Sequence, residues 1–429
     1  MRYQTIDSTL FVNNRQKLIP HLTRNSLAVF NSNDIMPTNA DGTMPFKQNN
    51  DLFWLSGIDQ EESILLIYPD NKNKQEREVL FVKETSELIA IWEGAKLSKD
   101  AAFKVSGIKT VYWLTNFKSK FEELISECNT IYLNKNTHAR SNSKVQTRDD
   151  RFRDMITKEY PNKEILEAAP IMHKLRSIKT TKEIDLLKEA CKITEKGFRR
   201  ILPFIRPGVM EYEIEAELIH EFINNKSKGF AYQPIIGSGV NSCVLHYIDN
   251  NNTCVDGDIL LMDFGAEYAN YASDMTRTVP VNGRFSKRQR EVYNAVLYVM
   301  KEATKMLTVG TKLKDYNVEV GKLMESELIK LNLLDRHDVQ KQDAKNPLYK
   351  KYFMHGTSHY LGLDVHDVGD FDWPIKEGMV FTCEPGIYIQ EEKLGVRLEN
   401  DILITTEGPE DLMKSIPIEV DEIEDLMNF

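Results

Sequence analysis

Acids and imidazoles crowd into four short stretches of the second half of the chain. The first, Ile259-Leu-Leu-Met-Asp263-Phe-Gly265, is apolar and strand-like, yet it carries a carboxylate where burial is expected. A buried carboxylate requires a partner. Eleven residues on, Asp274 occupies a second strand candidate, Ala272 to Val279, and Gly265 with Asn270 supplies turn chemistry between them. A hairpin pairing 263 with 274 sets two carboxylates side by side, where they persist only by sharing a proton or holding cations.

The second stretch places His355, His359 and His366 within twelve residues of a chain that has nine histidines in all. In the third, Glu384 ends an apolar run and a Pro-Gly turn fixes its direction; in the fourth, period-2 alternation puts Arg397 and Glu399 on one face. Taken singly, an Asp most often accepts from turn amides and a His most often fills a structural role. Their clustering points elsewhere. Four carboxylates and one imidazole are too rich in oxygen for a structural zinc site and suit paired manganese, cobalt, iron or zinc ions. Charge balance asks for two dications, since one would leave a buried negative surplus. Calcium fits less well, because it prefers oxygen to imidazole.

These residues need strands and loops to hold them, and the chain supplies candidates. In the first third, Ser26 to Phe30, Leu52 to Leu55, Ser63 to Tyr68, Val79 to Val82 and Thr110 to Leu114 read as strands of an α/β unit. A polar stretch from Asn134 to Pro161 reads as a surface connection with a helix near its end. Thr180 and Glu183 have capping-box spacing ahead of a long helix, and further amphipathic helices are expected over 211–224 and 287–307. At 429 residues the chain exceeds one core, so two domains are expected, 1–170 and 171–429.

The net charge of -10 argues against a nucleic-acid binder. No signal-like N-terminus and no long apolar run suggest export or a membrane span, so a cytoplasmic protein is the expectation. The five cysteines contain no C-x-x-C pair and read as reduced, buried residues.

The four stretches resemble those of the creatinase, aminopeptidase P, prolidase and methionine aminopeptidase superfamily, most closely the aminopeptidase P branch. The segment 41–57 (DGTMPFKQNNDLFWLSG) and Ile91-Trp92-Glu-Gly94 are similar to the N-terminal domain that aminopeptidase P shares with prolidase. The resemblance implies an α/β N-terminal domain and an α+β C-terminal domain of the pita-bread fold, a curved, mostly antiparallel sheet backed by helices. It implies two divalent metal ions, manganese first with cobalt, zinc or iron as alternatives, on Asp263, Asp274, His359, Glu384 and Glu399. Asp274 and Glu399 would bridge, and Glu384 would also move the proton of the attacking water. His246 would lie beside the scissile bond, His366 would bond the substrate carbonyl, and His355 would wall a proline pocket. Tyr232 and Arg397 would support the substrate. Asp41 and Trp92 would reach over a neighbouring subunit's site in a homo-oligomer, dimer or tetramer. The implied reaction is removal of the N-terminal residue from peptides with proline second. A prolidase, which cuts only Xaa-Pro dipeptides, is the alternative, and a binding module that kept the fold without the chemistry is a third reading, disfavoured by the complete ligand set.

Overall fold

The computed structural model describes residues 2–138 and 140–428, which form two compact units, Tyr3–Arg176 and the chain from Ser177 on. The division falls at the end of the helix Ala169–Arg176, past the boundary at Pro170 read from the sequence. Proline is tolerated in the first turn of a helix, so Pro170 lies inside an element and the division falls at that element's end.

The first unit is a six-stranded sheet of β1 (Ser26–Asn31), β2 (Ile64–Ile67), β3 (Glu78–Val82), β4 (Thr110–Trp113), β5 (Thr130–Leu133) and β6 (Glu164–Glu167), in the order β4-β3-β2-β1-β5-β6. Only β2 runs antiparallel to its neighbours. β1 and β2 are buried at every position, as strands covered on both faces must be. Leu52 to Leu55, expected as a strand, lies instead in the helix Asn50–Ser56. The Asn49 side chain caps it by accepting from the Asp51 and Leu52 amides, and Gly57 closes it in the left-handed region at φ 67°. A short apolar run suits a buried helix as well as a strand, and the caps decide between them.

The second unit opens with the helix Thr181–Ile201, whose Thr180–Glu183 capping box forms, followed by the helices Glu211–Asn224, Lys287–Met306 and Leu313–Lys330. Its strands are β7 (Ile235–Ser238), β8 (Ile259–Phe264), β9 (Glu267–Tyr268), β10 (Tyr271–Ala272), β11 (Met275–Pro280), β12 (Val380–Cys383), β13 (Gly386–Ile389), β14 (Leu394–Arg397), β15 (Asn400–Thr405) and β16 (Gly408–Asp411). Every pairing among them is antiparallel, which gives the α+β architecture. No helix among the described residues is long and apolar enough to cross a membrane.

Two long hairpins organise this unit. Phe264 faces Met275 across β8 and β11, and Tyr268 faces Tyr271 across β9 and β10. Both ladders share one register, centred on a two-residue turn at Ala269 and Asn270. Their φ angles of 52° and 68° are the left-handed pair that a tight hairpin turn requires. Cys383 faces Asn400 across β12 and β15, and Gly386 faces Arg397 across β13 and β14. These again share one register, so the fourteen residues between Glu384 and Glu399 continue the hairpin.

Candidate metal centre

The first hairpin carries Asp263 near the end of β8 and Asp274 just before β11. The expected pairing of 263 with 274 is not the one formed: Thr276 faces Asp263. The turn sits at 269–270, one residue beyond the midpoint of the expected turn, and this moves every partner by two. A shift of two preserves side-chain facing, so the two acids still meet. By the same register Asp274 falls opposite Gly265, where a Cβ would overlap the Ser273 carbonyl, so only glycine lets the strands stay this close.

In the second hairpin the same counting sets Glu384 opposite Glu399, where the ladder is interrupted. The Glu384 amide turns away to donate to the Thr357 carbonyl at 2.8 Å, and the Glu399 amide donates to the Thr276 carbonyl at 3.1 Å. That second bond, with Thr276 Oγ1 donating to Glu399 Oε2 at 2.7 Å, fastens one hairpin to the other. His359 lies along β12: the Thr382 amide donates to its carbonyl at 3.0 Å, and its own amide donates to Thr382 Oγ1 at 3.2 Å.

Asp274, His359 and Glu399, all buried, form a metal-binding group in which one ligand atom from each lies within 4.8 Å of the others. Glu384 Oε1 stands 3.7 Å from His359 Nε2, and Asp263 is joined to Asp274 through the Tyr232 hydroxyl, 2.5 Å from each. The structure thus brings together all five expected ligands. Burial raises the Asp263, Glu384 and Glu399 carboxyls against the opposing charges of Arg397 and, for Glu384, His359, and neighbouring carboxylates add to the rise; Glu384 reaches about 7. Burial alone would lower His359, but the facing Asp274 and Glu384 overcome it and hold it raised. Its Nδ1 bonds the Tyr360 carbonyl at 3.0 Å, which makes Nδ1 the protonated nitrogen and turns Nε2 toward the acids. Packed carboxylates that resist ionisation and an imidazole oriented through its second nitrogen are a donor set suited to divalent cations.

A ring of polar groups surrounds the acids. Arg397, buried, donates to Asp263 Oδ2 at 2.6 Å, to Thr276 Oγ1 at 3.1 Å and to the Tyr388 hydroxyl at 2.8 Å. His355 bonds the Gly356 carbonyl through Nδ1 and the Tyr388 hydroxyl through Nε2, both at 2.8 Å. Burial, with the Arg397 charge adding to it, lowers His355 to about 4, so it is neutral at pH 7. His246 lies between β7 and β8 and is exposed. The half-buried His366 packs edge-on against His359, their ring centres 4.4 Å apart. Asp41 and Trp92 belong to the first unit and are exposed, Trp92 at 80%.

Four participants were not singled out from the sequence. Tyr388 links His355 to Arg397, and Thr276 links the hairpins. Asp401, fully buried, accepts the Asp274 amide on Oδ2 at 3.1 Å, while Oδ1 has no hydrogen-bond partner among the described residues. Asp401 follows the same alternation as Arg397 and Glu399, a signal present in the sequence; a lone Tyr or Thr carries none. Lys179 pairs with Asp367, the neighbour of His366, at 3.2 Å, with both side chains 1% exposed.

Residues 185–406 match the model of metallopeptidase family M24, and residues 11–132 match that of the aminopeptidase P N-terminal domain. The chain is 34% identical to an Xaa-Pro aminopeptidase of Escherichia coli over 97% of both chains. It is 30% identical to human Xaa-Pro aminopeptidase 3, covering 92% of this chain and 78% of that one. Among solved structures, a putative aminopeptidase P from Bacillus anthracis superposes with a TM-score of 0.91 at 33% identity over 98% of each chain. Escherichia coli aminopeptidase P with the inhibitor Pro-Leu superposes with a TM-score of 0.88 at 32% identity over 99% of each.

Proposed function

The chain belongs to metallopeptidase family M24 and is a metallo-aminopeptidase, and from that premise we propose that it releases the N-terminal residue from peptides with proline second. The observation that carries this reading is the convergence of Asp274, His359 and Glu399 beside Glu384 and Asp263, in a chain 34% and 30% identical, over 97% and 92% of its length, to two proteins named as Xaa-Pro aminopeptidases.

In this reading Asp263, Asp274, His359, Glu384 and Glu399 hold two divalent cations, manganese first with cobalt, zinc or iron as alternatives. Such a pair acidifies a water and polarises the carbonyl under attack. Asp274 and Glu399 would each serve both ions. Glu384 would accept the proton of the attacking water and deliver it to the leaving proline nitrogen. His366 donates to the carbonyl oxygen as charge develops on it. His246 lies beside the scissile bond. His355, fixed between the Gly356 carbonyl and Tyr388, gives the proline ring a stiff, neutral wall. Arg397 and Tyr232 keep the Asp263 carboxylate aimed despite repulsion from its neighbours.

Metal-reconstituted hydrolysis of a short peptide series tests both reaction and substrate. Turnover of Xaa-Pro-Yaa exceeding that of Xaa-Ala-Yaa supports the proposal; turnover confined to Xaa-Pro dipeptides makes the protein a prolidase. Inactivity of folded, manganese- or cobalt-loaded protein sinks both. The proposal extends to a homo-oligomer, dimer or tetramer, in which Asp41 and Trp92 reach a neighbouring subunit's site. The helix Glu87–Glu93 exposes Leu88, Ile91 and Trp92 at 65%, 78% and 80%, an apolar surface that a second copy can cover. Sedimentation velocity on the wild type and Trp92→Ala tests it: a monomeric wild type refutes the oligomer.

A further inference from the structure

The loop that carries His246 runs from the end of β7 to Asn252 with little regular structure of its own. Four of its hydrogen bonds converge on one side chain, while Asn250 separately ties the loop to Ile236, Glu215 and the Pro234 carbonyl. Glu211, the first residue of the helix Glu211–Asn224, is 0% exposed. Its Oε1 accepts from the Ser238 amide at 2.8 Å and from Ser238 Oγ at 2.7 Å. Its Oε2 accepts from the Tyr247 hydroxyl at 2.8 Å and the Asn252 amide at 2.9 Å. One carboxylate therefore ties the loop's entry, its exit and the residue next to His246. The helix N-terminus behind it favours negative charge at that position.

Tyr247 carries the restraint inward. Its ring packs with Cys243, Leu261 and Tyr388 in a small buried cluster, and Tyr388 bonds both His355 and Arg397. From the other side, Gly395 in β14 donates its amide to Ser242 Oγ at 2.8 Å, and a Cβ on Gly395 would overlap the Ser242 carbonyl. The loop is pinned between a helix end and a strand, yet His246 projects outward, exposed.

We propose that Glu211 is a positioning residue for His246: by bonding Ser238, Tyr247 and Asn252 at once, it fixes the imidazole where the substrate's scissile bond lies. This rests on the role given to His246 under the proposed function. The carboxylate is specifically required, because each oxygen faces a backbone N–H that cannot accept a hydrogen bond. An amide in its place must point its NH2 at one of them whichever way it flips. A misplaced catalytic group costs rate without loss of the fold, and a shift of about 1 Å can cost about a hundredfold.

The experiment is a double-mutant cycle on the full-length, metal-loaded protein, reading kcat and KM on an Xaa-Pro-Yaa peptide together with metal content and Tm. Glu211→Gln is expected to lower kcat by roughly 10- to 100-fold with metal content unchanged. Tyr247→Phe, which keeps the ring and loses one bond, is expected to lower it by about 3- to 10-fold. In the His246→Ala background each is expected to lower kcat by less than about twofold more, because the group they position is gone. Equal losses in both backgrounds overturn the proposal and leave Glu211 a purely structural residue. If Glu211→Gln does not fold, Tyr247→Phe decides alone, and absence of coupling there overturns the proposal too. A fully active His246→Ala enzyme removes the premise instead, and it is recognised without touching Glu211.

Discussion

The two hairpins that hold the acids and the loops that hold His246 and His366 solve the same problem by different means. Asp263, Asp274, Glu384 and Glu399 are aimed by the register of the strands that contain or flank them, so their placement follows from where two turns fall. His246 and His366 sit on irregular chain, where Glu211 and the Lys179–Asp367 pair replace the ladder. Ligands that must resist mutual repulsion stand on the stiffest elements, while groups that must meet a peptide stand on loops held by a few buried charges. The loop side is therefore more open to disruption by single substitutions at a distance.

The hairpin side fails most completely when its chemistry is removed. Glu384→Ala is expected to lower kcat by about 10²- to 10⁴-fold while circular dichroism and Tm stay near those of the wild type, since the backbone register does not depend on that carboxyl. Full activity in this variant would overturn the assignment of Glu384. Unfolding would instead blur the contrast, making the ligand as structural as the loop anchors.

The loop side should respond in stability. Lys179→Ala leaves Asp367 buried without that cation and is expected to cost roughly 3–5 kcal/mol in chemical denaturation. The paired replacement Lys179→Met with Asp367→Leu should recover most of this, as it removes both charges. If the single variant costs less than about 1 kcal/mol, the pair does not hold the His366 loop and the comparison loses one of its two cases.

A smaller effect separates register from charge. In metal-free protein burial holds the Glu384 carboxyl at about 7, against an ordinary value of 4.5. The folded state then takes up a proton that the unfolded state does not in that window, so stability falls as pH rises from 4.5 to 7. Relative to Glu384→Gln, which cannot titrate, metal-free wild type should lose stability over that range and level off above it. Added manganese should stabilise more at pH 8 than at pH 5, because ligation needs the ionised carboxylate. A wild type that gains on Glu384→Gln as pH rises without metal would contradict the desolvated site.

Much of this was legible in the chain. The five ligands could be found because acids in apolar runs and clustered histidines break the ordinary pattern, and the helices at Thr181–Ile201 and Glu211–Asn224 announce themselves through periodicity and caps. The segment Leu52 to Leu55 misled because four apolar residues fit either element until Asn49 and Gly57 are weighed as caps. Glu211 and the Lys179–Asp367 pair could not be seen. Their partners lie 27 to 41 and 188 residues away, and a lone Glu or Lys at a helix start looks like any surface charge. Turn position was the other blind point: Gly265 looks like a turn residue but serves the close approach to Asp274, while Ala269 carries no turn signal although it adopts φ 52°.

That turn gives the smallest and most direct test of the register. At most positions glycine is less stable than alanine by about 0.5–1 kcal/mol, because the unfolded chain gains freedom. At Asn270, φ 68° reverses the order, since a Cβ in the left-handed region costs about 1–2 kcal/mol. Both substitutions lose the bond that the Asn270 Oδ1 accepts from Lys228 Nζ at 3.1 Å, so that loss cancels between them. Asn270→Gly should therefore be more stable than Asn270→Ala by up to about 1 kcal/mol, with metal affinity retained in the glycine variant. If alanine is the more stable, the turn does not sit at 269–270. The pairing of Asp263 with Thr276, and the placement of Asp274 against Gly265 that follows from it, would then have to be redrawn.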